Sequence, residues 1–272
     1  MKENKETIIP KKIHYCWFGK KEKPKSVIDC INSWKKICPD FEIIEWNEDN
    51  INLNMNLYTK QAYEARVWGF VPDYLRCWII FTFGGIYLDT DVEIIKNPTP
   101  LLDQQAFCGI EKEGDSFYIN FGHGFGAAKG NSVIKAHMDL YDNMKFKTNK
   151  GYNETPSPTY TTQILERYGF DNTKNAIQRL GEITVYPNDY FDPFDWKFKK
   201  LCKTSNTYFI HWYSSSWMTP EQRRAAVHNG KLDVYRKKYG KNFATIYDYV
   251  FWSQKKNGGQ GFLKTVAQRF KR

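Results

Sequence analysis

Nowhere in its 272 residues does the chain approach the roughly 20 consecutive apolar residues that a spanning helix needs, so no transmembrane helix is expected. The opening Met1-Lys2-Glu3-Asn4-Lys5-Glu6-Thr7 lacks an apolar core of secretory-leader length, which makes a cytoplasmic protein the expectation. None of the six cysteines, Cys16, Cys30, Cys38, Cys77, Cys108 and Cys202, forms a Cys-x-x-Cys pair. Several lie in apolar stretches where a free thiol packs as a small hydrophobe, and they are read as reduced. Zinc-finger spacing, an RNP-like aromatic motif and a helix-turn-helix are also missing. The formal charge of +10 calls for an anionic partner, and these absences turn the choice away from nucleic acid towards phosphorylated ligands or a membrane surface. Gly122-His123-Gly124-Phe125-Gly126 fits neither Gly-x-Gly-x-x-Gly nor a Walker loop, which excludes those phosphate cradles.

What the chain has in quantity is aromatic surface, 17% of its residues, suited to a core and to stacking on sugars or bases. The length fits one large domain, or one domain with a small appendage. Strands and helices alternate through the first third. Ile13–Phe18 reads as a strand, and Ser26–Cys38 as a helix with Ser26 as N-cap and Pro39 at its end. Phe41–Trp46 reads as a second strand, and residues from about Leu57 to Trp68 as another helix. That alternation indicates an α/β sheet that is at least partly parallel. Short strands follow at Ala106–Ile110, Phe117–Phe121 and Gly124–Ala128, then helices from Ser132 to Phe146 and from about Tyr160 to Tyr168. A strand from Thr207 runs towards Trp217, and the tail from Lys231 onward is helical.

The most informative stretch runs from Val71 to Ile95. Pro72 has its φ pre-set for a first helical turn, so a helix starts there and runs to about Phe83, where Gly84-Gly85 stops it. Asp73 and Arg76, three apart, share one face of that helix. Ile86-Tyr87-Leu88 is a short buried strand, and Asp89 and Asp91 follow with a spacing that places both carboxylates on one side of an extended backbone. Burying two such charges without a cation is costly, and a hard divalent ion bound through oxygen removes that cost. A bare Asp-x-Asp would read as a solvated turn; the helix, glycine turn and buried strand before it favour a site.

This stretch resembles the sugar-nucleotide site of the family 32 glycosyltransferases, whose sugar-binding region contains an Asp-x-Asp motif, and more distantly the glucosylating bacterial toxins. The resemblance implies that Asp73 and Arg76 hold the donor sugar, that Tyr87 and Asp89 bind the nucleotide, and that Asp91 binds the metal, with Asp89 beside it. Asp73, Arg76, Asp89 and Asp91 are thus the expected catalytic set. Ile9-Pro10-Lys11-Lys12-Ile13-His14-Tyr15-Cys16-Trp17 is similar to the family's opening and implies that Trp17, at a strand end, lies against the base; a core tryptophan is the alternative. Asn120 is the matching residue for a contact to the transferred sugar, with His123 as the alternative. Ile210-His211 followed by Ser216-Trp217 is similar to a family Ile-His-x-x-x-x-Ser-Trp, which implies His211 as an imidazole ligand and Ser215, Ser216 and Trp217 at the diphosphate. Nitrogen beside carboxylate ligands favours Mn²⁺ over Mg²⁺.

The expectation is therefore a GT-A-like nucleotide-sugar-binding α/β domain with a mixed, mostly parallel sheet over residues 1–225, and a helical basic C-terminal extension over 226–272. The implied activity is a metal-dependent, retaining transfer of a hexose from a nucleotide-sugar donor, UDP-linked by preference, to a glycan or lipid-linked glycan acceptor in surface polysaccharide synthesis. The extension, with Phe262, Leu263, Val266 and Phe270 on one side and Lys264, Arg269, Lys271 and Arg272 elsewhere, is suited to peripheral contact with an anionic membrane surface, or to plain packing on its own domain. Two rivals stand beside this reading: a toxin-like transferase that modifies a protein, and a non-catalytic basic module for nucleic acid.

Overall fold

A computed structural model describes residues 7–214 and 218–257. The first strand, β1 (Lys12–Cys16), leads into α1 (Lys25–Ile37) and β2 (Glu42–Trp46), then into α2 (Leu57–Glu64), α3 (Pro72–Phe83) and β3 (Gly85–Tyr87). After β4 (Val92–Ile94) come β5 (Ala106–Glu113), β6 (Ser116–Ile119), β7 (Phe125–Ala127) and α4 (Ser132–Asp142). The small strands β8 (Lys147–Thr148) and β9 (Gly151–Tyr152) precede α5 (Ser157–Arg167), β10 (Gln178–Leu180), β11 (Ile183–Tyr186) and α6 (Asn188–Phe191). The rest comprises β12 (Phe194–Asp195), β13 (Lys200–Leu201), β14 (Phe209–His211) and α7 (Pro220–Asn257).

The main sheet has the order β10-β11-β5-β7-β3-β1-β2, with β6 added to β5. β1 pairs in parallel with both β2 and β3, and β5 with β11, while β7 runs antiparallel between β3 and β5 and β10 antiparallel to β11. Following these senses across the sheet, β2, β1, β3, β5 and β11 point one way, and β7, β10 and the added β6 oppose them. The sheet is mixed and mostly parallel, as expected. Its two faces carry separate cores: Val27, Ile31 and Trp34 of α1 pack on one side with Ile13 and Ile86, and Leu75, Ile79 and Ile80 of α3 on the other with Val133, Ile134 and Met138 of α4.

α3 occupies the span that Pro72 and Gly84 predict. Pro72 stands at its first position, and Gly84, at φ 65°, closes it with an N–H to Ile80 O of 2.8 Å. Gly85 follows at φ 111°, where a Cβ would come within 2.9 Å of Lys12 O and 3.0 Å of His14 Nε2. Only glycine lets β3 lie this close to β1 directly after a helix. Other boundaries differ from expectation. Ser26 is not the cap of α1, because Pro24 holds that position and makes no side-chain bond. α2 stops at Glu64 because the chain turns through Arg66 at φ 59°. α4 ends at Asp142, and the strand expected from Thr207 is limited to Phe209–His211.

β4 lies outside the main sheet, and α1 anchors it. The Trp34 indole N–H donates to Val92 O at 2.7 Å, and Ile94 N–H donates to Ser33 Oγ at 3.0 Å. β14 then pairs antiparallel with β4, placing His211 opposite Val92.

The described chain divides into two compact units, one of residues 7–195 with 201–214 and a second of 196–200 with 218–257. In the second, α7 is broken at Gly240 (φ 85°, ψ 170°) into two helical halves. His228 of the first half stacks on Phe251 of the second at 3.7 Å, and its Nε2 lies 2.8 Å from Asp248 Oδ1. No helix among the described residues is long and apolar enough to cross a membrane. The expected anchor residues from Phe262 to Arg272 lie outside the described residues.

Gly85→Ala is expected to lower the unfolding free energy by roughly 1–3 kcal/mol through its positive φ alone, and by more if Lys12 cannot yield. Urea unfolding followed by tryptophan fluorescence measures it, and an unchanged midpoint would contradict the close β1–β3 approach.

Candidate active site

Where β3 ends, Leu88 N–H donates to His14 O at 3.0 Å, and the chain then turns, with Val92 N–H donating to Asp89 O at 3.1 Å. Asp89 and Asp91 stand on this turn between the sheet and the β4–β14 ribbon. The ribbon's pairing extends one step further, since Trp212 N–H donates to Asp91 O at 2.9 Å. As a result His211 Nε2 lies 3.1 Å from Asp91 Oδ1, and Ser214 N–H donates to Asp91 Oδ2 at 2.7 Å.

One ligand atom from each of Asp89, Asp91 and His211 can be chosen so that all lie within 4.8 Å of one another. Opposite ligands on an ion with bonds of roughly 2.1 Å are about 4.2 Å apart, so small side-chain rotations close the set around a divalent cation. Two carboxylates with one imidazole form a donor set suited to such an ion.

Charge explains how the group holds together without one. Burial pulls the His211 imidazole down, but the charge and hydrogen bond of Asp91 more than reverse this and carry its pKa up to about 9. Burial alone would raise Asp91; the His211 charge and hydrogen bond, with the Ser214 amide, outweigh it and hold that carboxylate well below its ordinary range. The protonated imidazole thus supplies the positive charge that a bound cation would bring.

On the other side of Asp89 lies the helix pair. Arg76 Nη2 is 3.1 Å from Asp73 Oδ1 and 3.5 Å from Asp89 Oδ1, with Arg76 and Asp73 side chains only 5% and 4% exposed against 29% for Asp89. Burial pushes the Asp73 carboxyl up to about 7 against the pull of Arg76, and burial likewise raises Asp89. Tyr87, buried in the core, places its ring 5.4 Å from the Arg76 guanidinium and supports the pair from beneath.

The loop after β6 closes this side. Asp89 N–H donates to Gly122 O at 3.2 Å, and a Cβ on Gly122 would come within 2.4 Å of Asp89 Oδ2 and 2.9 Å of Asn120 Oδ1. Glycine is therefore required where the loop at residue 122 passes Asp89.

The structure thus brings Asp73, Arg76, Tyr87, Asp89, Asp91, Asn120 and His211 into one site, with His123 at its edge. His123 is fully buried, its ring 4.6 Å from that of His211. Trp17 follows the end of β1, the strand beside β3, and is half-buried; its indole N–H donates to Lys21 O at 2.8 Å, and the Lys23 ammonium lies 5.7 Å from its ring. Among the described residues, no hydrogen bond or ring contact joins it to the acidic groups. Ser215, Ser216 and Trp217 lie outside the described residues.

Three residues of the site escaped the sequence reading. Asn120 Nδ2 donates to Glu111 Oε2 at 2.9 Å, and the Tyr213 hydroxyl lies 2.9 Å from Asp192 Oδ1 and 3.4 Å from Glu111 Oε1. Burial raises both carboxyls, Asp192 well above its ordinary value. Glu111 carried a readable signal: like Asp89, it is the first acidic residue after a buried apolar run, here Ala106–Ile110 of β5, towards the end where ligands of α/β sheets bind.

Residues 24–108, which include the helix pair and both acidic residues of the turn, match the family model described as "Glycosyltransferase sugar-binding region containing DXD motif". Over those residues the chain is similar to a glycosyltransferase sugar-binding region. It is 28% identical over 139 residues to inositol phosphoceramide mannosyltransferase 3 of Schizosaccharomyces pombe, a match covering 48% of this chain and 36% of that protein. It is 26% identical over 218 residues to an uncharacterized glycosyltransferase of Acanthamoeba polyphaga mimivirus, covering 77% of this chain and 84% of that one. Among solved structures, PaToxG glycosyltransferase is 18% identical with a TM-score of 0.45, covering 58% of this chain and 69% of that one.

A divalent ion held by Asp89, Asp91 and His211 would bind with a pH dependence set by His211. At pH 7 an imidazole with a pKa of about 9 is protonated, and it must lose that proton to ligate an ion, so binding releases about one proton per ion. The release should fall to about half a proton near pH 9 and vanish by about pH 11, where the imidazole is already neutral. Calorimetric titration with Mn²⁺ in buffers of different ionisation enthalpy reads this directly; buffer-independent heats at pH 7 would contradict it.

Proposed function

We propose that this glycosyltransferase is metal-dependent and retaining, and that it moves a hexose from a UDP-linked donor to a lipid-linked glycan acceptor in surface polysaccharide synthesis. The observation that carries the reading is the convergence of Asp89, Asp91 and His211 beside the Asp73–Arg76 pair. Asp91 and His211, with Asp89, are the proposed ligands of Mn²⁺ or Mg²⁺. A divalent ion held there would act as a Lewis acid on the leaving diphosphate, so departure needs no protonated carboxylic acid.

The residues' own work is orientation. Arg76 holds Asp89 in place and presents positive charge to the donor, Asp73 and Asn120 accept and donate hydrogen bonds at the sugar, and Trp17 with Tyr87 serves the nucleotide end. Ser215, Ser216 and Trp217 are assigned to the diphosphate by the resemblance of their sequence alone. Retention by double displacement would need an ionised carboxylate at the anomeric carbon. Glu111 and Asp192, the additional carboxyls here, are engaged by Asn120 and by the Tyr213 hydroxyl instead of standing free as nucleophiles. That supports attack from the front face, with the leaving phosphate helping to deprotonate the acceptor hydroxyl.

The similarity to a protein whose name specifies mannosyl transfer to inositol phosphoceramide supports both a hexose and a lipid-borne acceptor. The second unit supports an anionic lipid surface as the place of reaction, and a cytoplasmic site peripheral to the membrane. Lys231, Arg236, Lys237, Lys238 and Lys241 lie among the exposed Val234, Tyr239, Phe243 and Ile246. On this reading residues 226–272 serve the acceptor rather than the donor.

Asp91→Ala is expected to abolish metal-dependent donor turnover, a loss of at least a hundredfold in kcat/KM. A panel of UDP- and GDP-sugars with Mn²⁺, assayed against lipid-linked glycans and against proteins, measures it. Near wild-type turnover in the variant would overturn the metal-dependent reading, and transfer to proteins alone would overturn the acceptor.

A further inference from the structure

The imidazole of His211 has an unusual second side. Histidines that bind metals almost always donate their other ring N–H to a carboxylate, carbonyl or water, which fixes the ring's orientation. His211 points Nε2 at Asp91, yet its Nδ1 is buried and has no hydrogen-bond partner among the described residues. With one nitrogen held by Asp91 and the other without a partner, contacts on the faces of the ring complete its positioning.

Two rings do so. The His123 centroid lies 4.6 Å from that of His211, and the Tyr213 centroid lies 4.1 Å from it, at interplanar angles of 43° and 48°. Tyr213 is two residues beyond His211 and has φ 51°, a left-handed conformation that bulky residues rarely adopt. That backbone folds its ring back over the imidazole and leaves Ser214 N–H directed at Asp91. A strained residue persists where its surroundings over-determine it, and here the surroundings are visible.

The Tyr213 hydroxyl is the anchor. It lies 2.9 Å from Asp192 Oδ1, 3.1 Å from His123 Nε2 and 3.4 Å from Glu111 Oε1. A phenol has one proton, and the nearest acceptor is the Asp192 carboxylate. Asn120, whose Oδ1 accepts from Gly122 N–H, donates from Nδ2 to Glu111 Oε2 at 2.9 Å and to His123 Nε2 at 3.0 Å, so that ring nitrogen is an acceptor.

We propose that Tyr213, tied by its hydroxyl to Asp192, is the positioning residue that holds the His211 ring in its metal-binding orientation. The inference rests on the assignment of His211 as a ligand. It assigns a task to Asp192 as well: the carboxylate stabilises the hydrogen-bonded tyrosine rather than touching donor or ion.

The test is Mn²⁺ binding by the full-length protein, read without catalysis from the loss of the free Mn²⁺ signal in electron paramagnetic resonance. Tyr213→Phe keeps the ring and removes the anchor, and Asp192→Asn keeps the shape and removes the charge. Each is expected to weaken Mn²⁺ binding by about 10- to 100-fold, the range found when partners of metal-ligating histidines are lost. The bound-Mn²⁺ spectrum should broaden as the ligand geometry relaxes. Asp91→Ala is the control that removes a ligand outright. Wild-type affinity in both variants, with Asp91→Ala unable to bind, would overturn the positioning role while leaving the metal site standing. Absence of Mn²⁺ binding by the wild-type protein would remove the metal site and this inference with it. If Tyr213→Phe does not fold, Asp192→Asn alone decides.

Discussion

Opposing charge on a short β-ribbon is the constraint from which the site follows. β4 and β14 carry no catalytic residue in their interiors; their register places Asp91, just before one strand, against His211, at the end of the other. Every other acidic group nearby is then arranged around that pair. Asp89 is drawn to Arg76 on one side, and Glu111 and Asp192 are gathered by Asn120 and Tyr213 on the other. So many carboxyls in one partly buried place repel one another and resist desolvation. The observed structure answers with a guanidinium, a protonated imidazole and raised carboxyl pKa values. A divalent cation would add to that balance.

The scaffold makes the arrangement rigid. α3 presents Asp73 and Arg76 from one face of the sheet, and α1 grips β4 from the other through Trp34 and Ser33. Glycines at 85 and 122 remove the side chains that would keep β1, β3 and the Asn120 loop apart. A functional site held by buried elements on both sides loses little conformational entropy when a ligand arrives.

Much of this was legible in the sequence, because the signals are local. Pro72 and Gly84 bracket α3 to the residue, the three-residue spacing of Asp73 and Arg76 places them together, and Ile86-Tyr87-Leu88 leads straight to the acidic turn. What was not legible depends on contacts between distant parts of the chain. Ser214 meets Asp91 across 123 residues and Tyr213 meets Glu111 across 102, and no periodicity reports such pairs. The reversed strand β7, a three-residue strand of Phe-Gly-Ala, has no alternation to announce its direction. His211 was found through a resemblance, while Tyr213, two residues on, was passed over because a left-handed tyrosine leaves no mark in the sequence.

The most direct measurement of the central claim is anomalous diffraction at the manganese edge from crystals soaked with Mn²⁺ and UDP. The account predicts one strong peak at roughly 2.0–2.3 Å from a carboxylate oxygen of Asp91 and from His211 Nε2, with the Asp91–His211 contact opened to admit it. A map with no peak there, and that contact still closed in the presence of both ligands, would contradict it.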